Sequence, residues 1–236
     1  MRVDIWSDIV CPWCYIGKRR FDQALASFGG QDEVEVVHHS FELDPSFDRD
    51  RPVLLLDMLA AKYRLNPEQA GQAEARVAAQ AAADGLGYTS DRLVGNTFDA
   101  HRLVHLGADR GRGAETLQRL YEAHFAEGRP VFTPADLAVV AAEAGLDPDE
   151  ARQVLDGGGY ADAVRADEAA AAEVGISAVP FFVLDGTYGV SGAQPASVLA
   201  EVLREVRDRS AAPDEPAAPE ASPGMLRQAR PLRLHR

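Results

Sequence analysis

The chain has 236 residues, 46% of them apolar, and a formal net charge of −13. That apolar content supplies a substantial core and separates the chain from disordered sequences, and the length suits one large domain or a domain carrying an insertion. Four arginines against three acids leave residues 210–236 at +1, so the rest carries −14, a charge that repels a phosphate backbone and excludes nucleic acid as an expected partner.

Arg2 to Trp6 has apolar residues at 3 and 5 and predicts a short buried strand. No apolar signal segment precedes it and no run is long enough to span a bilayer, so the expectation is a cytoplasmic protein without a membrane partner. Tyr15 to Phe28 places Ile16, Phe21, Ala24, Leu25 and Phe28 at helical spacing, and Gly29-Gly30 is the stop. Glu33 to Phe41 is β-branched and partly alternating, which predicts a second strand parallel to the first through the intervening helix.

From about residue 52 to 175 strand character disappears. Val53 to Tyr63 predicts a helix with Leu54, Leu55, Met58 and Leu59 inward. Asn66-Pro67-Glu68-Gln69, Thr133-Pro134-Ala135-Asp136 and Asp147-Pro148-Asp149-Glu150 share one start signal: a capping side chain, proline at the first helical position, and an amide or acid two residues later. They predict helices at about 67–84, 134–144 and 148–156. Others fit at about 98–108, capped by Asn96 or Thr97, at 114–126 and at 160–174.

Strand character returns at Pro180 to Leu184, Asp185-Gly186 marks a turn, and Thr187 to Ser191 is the antiparallel partner. A last helix opens at Pro195 and runs to about Arg207. The order predicts an α/β protein in which two separated halves of a small mixed sheet pair, with helices inserted between them. From Ser210 the chain is rich in Ala, Pro and Glu and then Arg, the composition of a disordered or extended tail, with a docking segment as the alternative.

Both cysteines of the chain fall at the first strand-to-helix junction, as Cys11-Pro12-Trp13-Cys14. A bridge closing so small a loop stabilises by at most about 2 kcal/mol, against about 4.7 kcal/mol for a 100-residue loop, so the pair reads as reactive rather than structural. Pro12 suits the first helical turn, and the free N–H groups and dipole of a helix start favour a thiolate at Cys11. Cys14, one turn on, shares that face: one thiol attacks and the other resolves. Zinc is the competing use, but it takes about four ligands, and His38 and His39, adjacent on a strand, point to opposite faces.

Val179-Pro180 stands at the start of the returning strand, the ordinary place for a trans proline; a cis bond there would expose the Val179 backbone beside the thiols. His101 and His105 lie one turn apart without a glutamate to complete a metal motif, so helix packing or substrate contact is the expectation, and no metal is predicted.

Ser7-Asp8-Ile9-Val10-Cys11-Pro12-Trp13-Cys14 followed by Tyr15-Ile16-Gly17-Lys18 resembles the active-site start of the DsbA-like branch of the thioredoxin superfamily, nearest to its FrnE-like oxidoreductases, some associated with polyketide biosynthesis. His39-Ser40-Phe41-Glu42-Leu43, Asn96 to Arg102, Val179 to Val183 and Ser191-Gly192-Ala193-Gln194 carry the same resemblance over about residues 1–208. It implies a thioredoxin fold with an inserted all-helical domain: residues 1–44 and 158–209 forming the thioredoxin-like part, 45–157 the insertion and 210–236 the tail. It also implies Cys11 as exposed nucleophile, Cys14 as resolving thiol and Pro180 as a cis proline facing them. Pro12, Trp13 and Val179 are the expected supports, and Trp6, His39, Phe41, Asn96 and His101 the candidate substrate-binding residues. A packed strand histidine is the plainer reading of His39, as a purely structural ring is of Trp13.

The expected activity is thiol–disulfide exchange on protein or small-molecule thiols, with no cofactor, glutathione as a candidate thiol substrate, and a monomer or homodimer. Two readings compete: a glutathione-dependent isomerase or transferase, whose relatives generally place serine in the nucleophile region, and a holdase or binding module in which the cysteines only sense redox state. Some FrnE-like members carry a further cysteine pair near the C-terminus; this chain has none, so no relay of disulfides can run through one.

Overall fold

The computed structural model describes residues 1–211; the tail expected from residue 210 therefore lies almost entirely outside the described residues. Strand β1 (Arg2–Ser7) leads into helix α1 (Pro12–Phe28), a 3-10 turn (Gln31–Glu33) and strand β2 (Glu35–Ser40). A two-residue strand β3 (Val53–Leu54) precedes α2 (Leu55–Tyr63) and α3 (Pro67–Ala83). A second such strand, β4 (Leu93–Val94), precedes α4 (Phe98–Asp109) and α5 (Gly113–Tyr121), which runs on through a π-type turn, Glu122–Ala126. Then come α6 (Pro134–Glu143), α7 (Pro148–Asp156), α8 (Ala161–Glu173), β5 (Phe181–Leu184), β6 (Tyr188–Ser191) and α9 (Ala196–Ala211).

The main sheet has the order β2-β1-β5-β6, with β2 parallel to β1 and the other pairings antiparallel. Alternation along β1 sends Val3 and Ile5 to one face, where Phe21, Phe28, Phe182, Leu199 and Leu203 complete a core under α1 and α9. Trp6 takes the other face, with Ala171, Ile176 and Val183, under α8. A larger core fills the helical block around Leu103, Leu106, Leu120, Tyr121, Phe125 and Leu137. Each large side chain buried in these cores stabilises by about 1.5–3 kcal/mol.

The start signals form as predicted. Asn66 with Gln69 and Thr133 with Asp136 close reciprocal capping boxes, and Asp147 accepts from the Asp149 and Glu150 amides. Gly29 ends α1 at φ +78°, a conformation that costs glycine nothing. The predicted helix at Val53 begins two residues late. Val53 and Leu54 instead pair with Val94 and Leu93, and Leu54 is half exposed rather than inward. The strand signal was missed because two β residues carry no readable period.

Candidate active site

Cys11 is the residue on which α1 begins, with extended backbone (φ −83°, ψ 112°), and Pro12 fills the first helical position where a missing N–H leaves nothing unpaired. The Cys14 and Tyr15 amides both donate to the Cys11 carbonyl, at 3.0 and 3.2 Å, which fixes the CPWC segment as the opening helical turn. Both thiols are unbridged. No N–H of the helix start caps the Cys11 side chain. Its sulfur instead donates to the Val179 carbonyl at 3.7 Å. That corrects the expectation of amides converging on the sulfur.

Cys11 is not the exposed residue the resemblance implies: only 4% of its surface is open. It is reached through a cavity of about 410 Å³ that it lines together with Pro12, Trp13 and Val179. The opposite wall belongs to the inserted helices, with Leu55, Met58 and Leu59 of α2 and Val77 of α3. Trp13, Leu43 and Tyr63, all more than 40% exposed, also line the cavity and supply apolar surface to it. Its charged lining is mixed: Asp8, Asp44 and Glu74 against Lys62 and Arg92. Arg92 and Glu74 form a sealed ion pair at 2.9 Å, completed by the Tyr88 hydroxyl.

Cys14 lies behind Cys11, 1% exposed. Burial pushes its thiol well above the ordinary range, and a hydrogen bond to the Cys11 sulfur and the charge of Asp8 add to this. Val179-Pro180 is cis. Pro180 is buried and sits against Gly17, where a Cβ would come within 2.8 Å of its ring; glycine in α1 is what lets the Val179-Pro180 loop approach the dithiol. Val179 faces the cavity and Pro180 is its backing.

The five candidate substrate-binding residues fall elsewhere. Trp6 and His39 are register partners on β1 and β2, and so share the face under α8. Their rings stack at 4.4 Å, and the Trp6 indole N–H donates to the Asp167 carbonyl. Phe41 packs into the same cluster. His39 is bridged by Asp4 and Asp167, each at 2.7 Å; His38, on the opposite face, is half-buried beside Lys18, and desolvation lowers it to about 3. Asn96 turns inward between the cavity-lining Gly95 and Thr97 to donate to Glu42 and accept from the Phe98 amide. His101 is 2% exposed and meets Asp8, whereas His105 meets Ser40 and Asp167, so these two diverge. Among the described residues no cluster of three or more His, Cys, Asp or Glu is arranged to hold a metal.

Sequence reasoning missed Asp8 and the α2–α3 wall. Asp8 had a signal: an acid between Ser7 and an Ile-Val pair, three residues ahead of Cys11. The wall had none, since which helix face turns toward the cysteines depends on tertiary docking.

Residues 2–204 match the family model of the DSBA-like thioredoxin domain. The chain is similar to a probable DsbA oxidoreductase from Streptomyces coelicolor, at 50% identity and a TM-score of 0.87, covering 94% of this chain and 97% of that one. The uncharacterized protein YwbO of Bacillus subtilis is 27% identical over 208 residues, 87% of this chain and 96% of that protein. The fold is also that of the cytosolic disulfide reductase DsbM from Pseudomonas aeruginosa with GSH, at 20% identity and a TM-score of 0.58, over 88% of this chain and 100% of that one. Among the described residues no helix is long and apolar enough to cross a membrane.

Proposed function

The chain belongs to the DSBA-like thioredoxin domain family, and from that premise we propose that it is a thiol–disulfide oxidoreductase working through Cys11 and Cys14. One observation carries the reading: Cys11 stands at the wall of an apolar cavity where α1 begins, with Cys14 buried one turn behind it. The Cys11 thiolate attacks a substrate disulfide, one substrate sulfur leaves as thiolate, and Cys11 holds the other as a mixed disulfide. Cys14 then displaces that sulfur from Cys11; the same steps reversed oxidise a substrate dithiol.

Within the family the CPWC start and the segments at 39–43, 96–102 and 179–183 support the FrnE-like branch. The two cysteines form the reactive pair and none is left for a structural bridge, which supports a cytoplasmic setting where the pair rests reduced. Protein thiols and small thiols, glutathione among them, are the proposed partners.

The test is reduction of insulin and formation of an adduct with a small aromatic disulfide. Cys11→Ser falls to the uncatalysed rate in both, and Cys14→Ser accumulates the mixed disulfide on Cys11. Undiminished insulin reduction by Cys11→Ser would remove the reading, and turnover of small electrophiles by that variant would favour a transferase or isomerase.

A further inference from the structure

The cavity over Cys11 is walled by segments far apart in the chain: the Val10–Trp13 turn, the Leu43–Phe47 segment, helices α2 and α3, and the segment ahead of Pro180. Its volume of about 410 Å³ falls in the span of about 300–1,000 Å³ that small-molecule sites occupy. Cys11 lines it and is only 4% exposed. A substrate sulfur must therefore enter the cavity to bond with Cys11, and the group attached to that sulfur enters with it. A folded protein docks instead over about 800 Å² of surface, which a recess of this size does not offer.

The chemistry of the wall narrows what that group is. Val10, Trp13 and Val179 supply apolar surface on the cysteine side, and Met58 and Leu59 of α2 with Val77 of α3 supply it on the other. Arg92 is cancelled by Glu74 at 2.9 Å, both sealed from solvent. Asp8 and Asp44 then stand against Lys62 alone, in a chain of net charge −13. An anionic substrate is repelled by that balance. Both carboxylates are also engaged within the fold, Asp8 with the Leu43 amide and Asp44 with the Ser46 amide and hydroxyl, so they are not arranged to grip a cation.

We propose that the cavity selects low-molecular-weight disulfides whose sulfur carries an uncharged aromatic or branched alkyl group, over glutathione disulfide and over the disulfides of folded proteins. Met58 and Val77 are the specificity-determining residues, so the choice of substrate lies with the inserted helices. The inference rests on the redox reading above and narrows its partners. The chemistry is unchanged. Cys11 thiolate bonds to the sulfur bearing the apolar group as the substrate S–S bond breaks, and the other half leaves as a thiolate. Cys14 then bonds to Cys11 and expels the first half as a second thiolate. The dithiol gives up two protons and two electrons, and the disulfide becomes two thiols.

The experiment is a single turnover of the prereduced protein, with oxidation of the dithiol followed by tryptophan fluorescence, since Trp13 stands between the cysteines. The probes are dithiodipyridine, an uncharged aromatic disulfide; dithiobis(nitrobenzoate), an aromatic disulfide bearing carboxylates; glutathione disulfide; and insulin. Each second-order rate is divided by that of free cysteine with the same probe, which removes the probe's own reactivity. On this scale dithiodipyridine is expected to lead glutathione disulfide and insulin by at least about tenfold, the low end of what one apolar group contributes in an apolar pocket, with dithiobis(nitrobenzoate) between. Raising salt from about 0.01 to about 1 M cuts the screening length from about 30 to about 3 Å and should narrow the gap between the two aromatic probes. Met58→Gln should cut the lead of dithiodipyridine over glutathione disulfide by at least about threefold. Val77→Thr should do the same, and carries the test if Met58→Gln does not fold. Equal scaled rates for dithiodipyridine and either glutathione disulfide or insulin overturn the inference and leave the redox reading standing, as do wall variants that slow every probe alike. No exchange with any probe, or undiminished exchange by Cys11→Ser, removes the redox reading and the inference with it.

Discussion

Two carboxylate–histidine clusters lie on the two sides of this molecule's chemistry, and they are built in opposite ways. Under α8, His39 is held between Asp4 and Asp167 at 2.7 Å each. Asp167 also accepts from the Ser40 amide at 2.8 Å and meets His105 at 3.1 Å, while Asp4 takes the Arg2 guanidinium. Every hydrogen-bonding side-chain atom of the His39–Asp167 link is engaged, and Trp6 covers the ring. Beside Cys14, Asp8 and His101 are more deeply buried, yet each keeps an atom unpaired. A closed network fixes the docking of α8 and α4 on the sheet; an open one leaves polar atoms in the interior without partners. Composition does not distinguish the two clusters; satisfaction does.

Breaking the closed cluster has the largest expected effect. Asp167→Ala leaves His39, the Ser40 amide and His105 without their shared acceptor, and is expected to lower stability by about 3 kcal/mol. For a chain of this length that is a drop of about 6–12 °C in melting temperature. Thiol exchange per folded molecule should not change, since no atom of this cluster lines the cavity. Calorimetry with the insulin-reduction assay on the same sample checks both halves; lost exchange with stability intact would break the comparison.

The next effect is a pH dependence. Burial pulls His39 down, but the bonds to Asp167 and Asp4 more than reverse it, so the folded ring titrates above its ordinary value. Burial pushes Asp167 up, and the bonds from His105, His39 and the Ser40 amide more than reverse that. The His39 contribution is therefore complete below about pH 6.5 and is lost as pH rises through the folded value; that of Asp167 is present above about pH 3.9 and is lost as pH falls. Melting should fall on both flanks, on the alkaline side as His39 loses its proton and on the acid side as Asp167 gains one. His39→Gln should flatten the alkaline limb; an unchanged limb would show that other groups set it.

Much of this was legible in the sequence, and the divide follows locality. The CPWC turn, the three proline-started helices and the Asp185-Gly186 hairpin each follow from a few adjacent residues whose chemistry allows little else. The cysteine pair was legible for the same reason. The resemblance makes Trp6 and His39 candidates for the site, but strand alternation turns them to the α8 face, where His39 is the packed strand histidine of the plainer reading. His101 was named as a cleft residue and is instead a neighbour of Asp8, because which face of α4 meets the β1–α1 loop is decided by docking across 93 residues of chain. Arg92 and Glu74, 18 positions apart, find each other in the same way.

The smallest expected effect on stability is also the sharpest test of the comparison, because it concerns the pair whose facing atoms have no partners. Asp8→Asn keeps an oxygen for the Leu43 amide and exchanges the unpaired carboxylate oxygen for an NH2 group 3.3 Å from His101 Nε2. With the ring in its Nδ1–H tautomer, Nε2 accepts from that group, so a buried unpaired atom becomes a bonded one and a buried charge disappears. Removing an unsatisfied charge is neutral to stabilising, where removing a satisfied one is costly. Urea unfolding at pH 7 should therefore place Asp8→Asn within about 1 kcal/mol of the wild type or above it. Asp167→Ala, which removes a satisfied carboxylate, should be far less stable. If Asp8→Asn instead loses as much stability as Asp167→Ala, the Asp8–His101 pair is a second structural clamp, and the contrast between the two clusters fails.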